Sequence, residues 1–308
     1  YSIHFSPLQG YTDRIYRNAF AHYFGGVEVY YTPFIRVEKG ALRKRDLRDI
    51  EHETNTVADL IPQILPGSAD EFRLLTDAVG GKGYRQIDIN LGCPFPMIAG
   101  KHKGAGMLLY PAQVAEVLAP IAEYPEIQFS LKMRLGWENA SECMVLVELL
   151  NALRLSRIAL HARTGKQQYK GHPDLEAFQG FYELCQHPLY YNGGIESLSD
   201  IRQILIRFPL LKGVFIGRGL LSSPLLAKEF KGNETFLPEQ RMSIYFAFHE
   251  ELFSAYSQVL QGETQLLVKM KTLWEYFLPE TDRKLLKRIK KSTRLQQYTE
   301  SVKAIFTS

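Results

Sequence analysis

Cys93 sits in a turn, Gly92-Cys93-Pro94, that ends a short apolar segment. A lone cysteine is more often inert core than a reactive group. Between two turn-forming residues at the end of a strand, its side chain can be aimed. Lys132 lies between Leu131 and Met133, and a buried ammonium needs an anionic partner or a polar ligand. A structural ion pair would satisfy it as well. His161 ends another apolar segment, where it is either a satisfied core histidine or a ligand contact. Two glycine turns, Gly193-Gly194 and Gly217-Arg218-Gly219, permit close backbone approach and offer amide donors, and Arg218 adds a forked cation. Together they suit a phosphate, although either pair alone would equally serve a tight turn.

These residues need elements that gather strand ends. Segments 3–6, 27–32, 60–65, 86–90, 128–134, 157–161, 189–192 and 213–216 are rich in β-forming residues. Most are continuous apolar runs, as expected when both faces of a parallel strand are buried. Thr12-Asp13, Ser68-Ala69-Asp70, Pro111, Ser141 and Ser199-Asp200 supply helix starts between them. Alternating strands and helices imply a parallel sheet, and eight units in roughly 230 residues match a closed (β/α)8 TIM barrel. An open dinucleotide-binding sheet would place a G-x-G-x-x-G turn after an early strand, and none is present.

Active sites of such barrels lie at the C-terminal strand ends. There the polar residues collect: Ser6 to Gly10, Gln63, Asn90 to Pro94, Lys132 and Arg134, His161 to Thr164, Asn192 to Gly194, and Gly217 to Gly219. In that position Lys132 suits the N1–C2=O edge of a reduced flavin. After Phe230 the pattern becomes helical. Residues 231–234 read as a linker, and Pro238 opens a tail with helical spacing over 241–260, 264–277, 282–291 and 293–306. The expected architecture is an α/β barrel over residues 1–232 with a small all-helical domain over 238–308.

Composition narrows the class. The chain has 308 residues, is 45% apolar and carries a net charge of +4, as a folded globular protein does. No apolar run approaches the ~20 residues of a membrane helix, and the N-terminal residues do not resemble a signal peptide. Cys93, Cys143 and Cys185 are too scattered for a disulfide framework or zinc site. No metal is therefore expected, and a reducing, cytoplasmic setting fits. Seven basic residues and no acidic ones run from Arg283 to Arg294. Arg283, Lys287 and Lys290 fall on one helical face, which is either a solvated surface or a contact for nucleic acid phosphates.

In order along the chain, several motifs resemble those of tRNA-dihydrouridine synthases. They are Asn90-Leu91-Gly92-Cys93-Pro94, Lys103-Gly104-Ala105-Gly106, Leu131-Lys132-Met133-Arg134-Leu135-Gly136-Trp137, His161-Ala162-Arg163-Thr164, Asn192-Gly193-Gly194-Ile195 and Ile216-Gly217-Arg218-Gly219. The resemblance implies a tightly but non-covalently bound FMN, NADPH as reductant, and reduction of the C5–C6 bond of a uridine in tRNA. It assigns flavin contacts to Pro7, Leu8, Gln9, Gln63, Lys132, His161, Asn192, Gly193, Gly194, Gly217 and Arg218. Cys93 becomes the proton donor, Asn90 and Arg163 contact the uracil or its phosphate, and the tail with Arg283, Lys287 and Lys290 holds the tRNA. No membrane partner is implied, and a monomer is expected.

The chemistry agrees with that role for Cys93. Hydride arriving at C6 leaves carbanion character at C5, which a thiol with an ordinary pKa of ~8.5 can quench. The glycine-bearing stretch 101–106 is expected to be a mobile loop that carries the thiol to the base. Thr32-Pro33-Phe34 stands where many members have Thr/Ser-Glu-Met, Ser6-Pro7-Leu8-Gln9-Gly10 replaces Ala-Pro-Met-Ala/Glu-Gly, and His161-Ala162 replaces His-Gly. Two other readings compete. One is an FMN oxidoreductase acting on a free pyrimidine, which would not need the basic tail. The other is a non-catalytic RNA-binding barrel, which would not need Cys93 or Lys132.

Overall fold

The computed structural model describes residues 1–307. Strands β1 (Ser2–Phe5), β2 (Val29–Tyr31), β5 (Leu60–Ile61), β6 (Gln63–Ile64), β7 (Gln86–Leu91), β8 (Gln128–Gly136), β9 (Leu155–Thr164), β10 (Leu189–Asn192) and β11 (Gly213–Ile216) form one parallel sheet. A small antiparallel hairpin, β3 (Val37–Glu38) with β4 (Ala41–Leu42), stands outside it. Every strand segment expected from sequence is present, the third in two pieces. The sheet order runs β5-β2-β1-β11-β10-β9-β8-β7-β6, so its two edges are the halves of one interrupted strand.

Pro62 makes the interruption, because it has no N–H to donate to a ladder. Its carbonyl still accepts the Asp88 N–H at 2.9 Å. Ile35 bridges across to Ile64, donating to Gln63 O at 2.8 Å and accepting from Leu65 N at 2.9 Å. The barrel therefore closes through this third strand. Closure also demands a near approach of β11 to β1: a Cβ on Gly213 would lie 1.9 Å from the Ser2 carbonyl oxygen.

The strands that bear the chemistry are not continuous apolar runs. Ile87, Ile89 and Leu91 alternate with Asp88 and Asn90, and Leu131, Met133 and Leu135 alternate with Ser130, Lys132 and Arg134. Successive strand residues face opposite sides, so each strand has one aliphatic and one polar face. Those aliphatic residues are fully buried, and Glu142–Ala152 and Leu175–Leu184 are among the helices packed on β8 and β9. Asp13, Ser68 and Asp174 accept backbone N–H groups at the starts of their helices. Ser141 makes no such bond; the Glu142 carboxylate instead takes the N–H groups of Trp137 and Asn139.

The sequence suggests one break between residues 232 and 238, whereas packing gathers the chain into two units. The first contains Tyr1–Gln9, Glu28–Ile195 and Ser199–Ile216, and the second contains Gly10–Val27, Glu196–Leu198 and the chain from Gly217 onward. Helix Arg14–Tyr23 joins the second because it packs on Pro238–Val259. Phe20, Phe24, Tyr245, Phe248 and Phe277 form an aromatic core there. Helices Gly262–Leu273, Arg283–Lys291 and Leu295–Phe306 complete the tail. Trp274 Nε1 donates to the buried Tyr298 hydroxyl at 2.9 Å, and His249 Nε2 lies 2.7 Å from the same oxygen. Among the described residues, no helix is long and apolar enough to cross a membrane.

Gly213→Ala should cost about 1–3 kcal/mol, the usual range for overpacking. Gly180→Ala, whose Cβ would meet only Met144 at 3.8 Å, should be neutral or stabilising by about 0.5–1 kcal/mol. Denaturant unfolding of the pair checks this, and equal effects would contradict the close approach at β11.

Candidate active site

The polar faces of β6, β7 and β8 meet inside the first unit. Gln63 pairs with Asp88 and Asp88 with Ser130 in register, while Asn90 pairs with Lys132 one step further along. Gln63 Nε2 donates to Asp88 Oδ2 at 2.7 Å, and Ser130 Oγ donates to Asp88 Oδ1 at 2.6 Å. Asn90 Nδ2 donates to Gln63 Oε1 at 2.7 Å. The Asn90 Oδ1 in turn accepts the N–H groups of Gly92 and Cys93, each at 2.9 Å. Gln63 N–H reaches Thr32 Oγ1 at 3.0 Å. Buried polar groups are rarely left unpaired, and this layer obeys that rule.

Cys93 is 6% exposed and clusters with Phe34, Leu65 and Ile98. Burial raises its thiol pKa above the ordinary value, with the Phe95 amide and the charges of Arg134, Lys132 and Arg36 pulling the other way. The group therefore remains a protonated thiol at neutral pH. Phe34, one of the departures noted in the sequence, is part of the apolar wall that keeps it so.

Part of the stretch expected to be a mobile loop packs against the Cys93 turn, while Lys101 and His102 are exposed. Residues Gly104–Leu109 form a 3-10 turn in which Gly104 to Leu108 are buried. Ala105 N–H donates to the Cys93 carbonyl at 3.0 Å. Gly104 takes a positive φ, and a Cβ there would lie 2.8 Å from Cys93 O. Lys103 is tied to Glu71 at 2.5 Å. The glycines serve close packing, which sequence alone could not separate from mobility.

Lys132 makes no hydrogen bond or ion pair among the described residues. Burial pushes its ammonium down to about 8, Arg134 adds to that effect, and Asp88 and Cys93 oppose it. Arg134, by contrast, is well paired. Its Nε donates to Gly92 O at 2.9 Å and its NH1 to Thr164 O and Gln168 O at 2.9 and 2.7 Å. It therefore clips the ends of β7 and β9 together, although burial lowers its pKa to about 10.

His161 and Arg163 are buried neighbours on β9, with Arg163 NH1 3.3 Å from His161 Nε2. Arg163 NH2 also donates to Gly171 O at 3.0 Å. Asn192 Nδ2 donates to Phe215 O at 2.8 Å. Gly193 has φ +131°, and a Cβ there would come within 3.0 Å of the His161 ring. Gly194 has φ +63° and abuts Pro173. Both positions of this turn thus require glycine sterically. Pro7, Leu8 and Gln9 follow β1 and are partly buried, and the Gln9 Oε1 atom is buried without a hydrogen-bond partner.

The first unit therefore brings together Gln63, Asn90, Cys93, Lys132, His161, Arg163, Asn192 and the Gly193-Gly194 turn. Gly217, Arg218, Arg283, Lys287 and Lys290 belong to the second unit, where Gly217 precedes the short helix Arg218–Ser222. On Arg283–Lys291, all the basic side chains are exposed, Asp282 caps the N-terminus, and Ile289 is the buried residue. None of these cations makes an ion pair among the described residues. Sequence reading missed Asp88, Ser130 and Thr32. For Asp88 and Ser130 the signal was legible: polar residues at every second position inside otherwise aliphatic strands.

Lys132→Met should stabilise protein freed of small molecules by about 1–3 kcal/mol at pH 7. Between pH 8 and 10.5 the native lysine sheds its proton while the unfolded one keeps it, so wild-type stability rises with pH and the gap narrows. A gap that stays constant across this window in denaturant titrations would remove the desolvation argument.

Comparison with known proteins places this geometry in a wider group. A family model described as dihydrouridine synthase matches residues 4–307. The tRNA-dihydrouridine synthase B of Pasteurella multocida is 25% identical over 225 residues, covering 73% of this chain and 67% of the relative. The Vibrio cholerae protein of that name is 26% identical over 248 residues, covering 77% and 74%. Morphinone reductase shares the fold at a TM-score of 0.56 and 9% identity, covering 79% of this chain and 88% of that one. An NCR variant from Zymomonas mobilis does so at 0.54 and 12%, covering 79% and 90%.

Proposed function

Because the chain belongs to the dihydrouridine synthase family, we propose that it reduces the C5–C6 bond of a uridine in tRNA, with FMN bound in the barrel and NADPH as reductant. The observation that carries this reading is a buried thiol in the turn that ends β7 and an ammonium without hydrogen-bond or ion-pair partners on the neighbouring β8, burial favouring the neutral form of each. The first is an acid and the second a seat for developing negative charge.

The residues present fit a flavin. Gln9 Oε1 is a buried acceptor in want of a donor, and Lys132 is a cation in want of an anion. Lys132 and Gln63 would face the pyrimidine edge, with Pro7, Leu8, Gln9, His161 and Asn192 around the ring. Gly193 and Gly194 would take the phosphate with Gly217 and Arg218, the latter pair being assigned from sequence. Bound flavin supplies the hydride. Cys93 holds a proton at Sγ, and the charges of Arg134, Lys132 and Arg36 ease the thiolate left when it is given up. Asn90 spends its oxygen on the Cys93 turn and keeps one Nδ2 hydrogen for the uracil. Arg163 would contact the base or its phosphate.

Support for RNA as substrate comes from the surface. Arg283, Lys287 and Lys290 are exposed on one helix without carboxylate partners, as phosphate contacts require. Phe95 and Met97, immediately after the Cys93 turn, are 51% and 81% exposed. His102 stacks on Tyr110 with ring centroids 4.3 Å apart. Such faces suit unstacked bases. A free-pyrimidine enzyme would need neither.

The first test is the visible spectrum. Flavin bands should bleach with NADPH and return with unmodified tRNA, but not with free uridine. In Cys93→Ala the return should slow by about 10²–10⁴-fold while bleaching proceeds. A colourless protein that FMN cannot reconstitute would leave the RNA-binding reading in its place. Arg283→Ala/Lys287→Ala/Lys290→Ala should weaken tRNA binding and flatten the slope of log affinity against log salt by about 2. An unchanged slope would remove this face from the interface.

A further inference from the structure

The hydrogen bonds beneath Cys93 run in one direction. Backbone N–H groups can only donate, so Gly92 and Cys93 oblige Asn90 to turn its Oδ1 toward them. Asn90 must then present Nδ2 to Gln63, and does so at 2.7 Å from Oε1. Gln63 is left with Nε2 facing inward, where Asp88 Oδ2 accepts it at 2.7 Å. The other Asp88 oxygen takes Ser130 Oγ at 2.6 Å. Two amides, each able to sit either way round, are thus held between a pure donor at one end and an acceptor at the other. Asp88 is 1% exposed, so no bulk water can replace it.

Resting on the reading of Cys93 as proton donor, we propose that Asp88 is the positioning residue for that thiol. Its acceptor oxygen locks Gln63, Gln63 locks Asn90, and Asn90 holds the Cys93 main chain so that Sγ is offered at one place. Asp88 itself touches neither the thiol nor the uracil. Without an acceptor at this position, Gln63 Nε2 is buried unpaired. It turns to find another partner, withdraws Oε1 from Asn90, and frees the Cys93 turn on one side. The other side is held by Ala105 N–H on the Cys93 carbonyl and by Arg134 Nε on the Gly92 carbonyl.

What matters in this scheme is an oxygen rather than a charge. Asp88→Asn keeps one acceptor oxygen and the side-chain shape, while Asp88→Leu keeps the branched heavy-atom skeleton, is bulkier, and has no acceptor. Two measurements on purified, flavin-loaded protein separate them. One is the rate of Cys93 alkylation by iodoacetamide, resolved from Cys143 and Cys185 by mass. The other is the rate of flavin reoxidation at saturating tRNA, set beside tRNA affinity.

Asp88→Leu should alkylate Cys93 about tenfold faster and reoxidise about tenfold more slowly, with tRNA affinity held, as loss of a buried acceptor implies. Asp88→Asn should bring both rates to within about threefold of wild type, since its oxygen satisfies Gln63. Wild-type alkylation in Asp88→Leu would overturn the proposal. So would an Asp88→Asn as impaired as Asp88→Leu, which would assign the effect to charge. If Asp88→Leu does not fold, Asp88→Ala is read by the same two rates. Should wild-type protein fail to act on tRNA, the assigned activity falls, and the alkylation ratios still decide whether Asp88 holds the thiol.

Discussion

A closed barrel gives its inward side chains no route to bulk water except at its ends, so each polar group placed there must find its partner among the strands. Much of the candidate site follows from that constraint. Asp88, Gln63, Asn90 and Ser130 satisfy one another across three strands. Arg134 spends its guanidinium on three carbonyls. Such a layer is rigid because loss of one member strands the next, and that rigidity can hold a reactive side chain in place.

Against this saturated background, the groups left over are conspicuous. Gln9 Oε1 is buried without a partner, the partly buried Lys132 makes no hydrogen bond or ion pair among the described residues, and Cys93 lies among Phe34, Leu65 and Ile98. Burial moves the lysine and the thiol in opposite pKa directions with one effect, since it favours the neutral form of each. For an acid delivering a proton at neutral pH, the raised thiol is the useful state. For a cation meant to meet an anionic ligand, the lowered ammonium marks a site whose charge is stabilised when that ligand arrives.

The second unit obeys a different logic. Its aromatic core and the Trp274–Tyr298–His249 cluster are satisfied internally, whereas its most basic helix spends nothing on intramolecular pairing. Exposed pairs contribute little to stability, so leaving these cations free costs the fold little. It leaves an exposed basic face with no carboxylate partners among the described residues.

The sequence by itself determined the architecture and singled out the candidate site residues, because both are written locally. Strand and helix periodicity, Pro238 and the glycine turns each act within a few residues. Cys93, Lys132 and His161 stand out by type and position. Where it was incomplete, the reason was also local. The glycines of 101–106 read as flexible because sequence does not show what they pack against, and in the fold it is Cys93 and Ala99. Only the tertiary structure decided that β5 and β6 close the barrel around Pro62. It alone showed that helix Arg14–Tyr23 packs with the tail, and that Asp88 on β7 terminates the bonds holding the Cys93 turn. Those outcomes depend on which strand lies beside which, and hydrogen-bond direction is settled only where donors and acceptors distant in the chain meet.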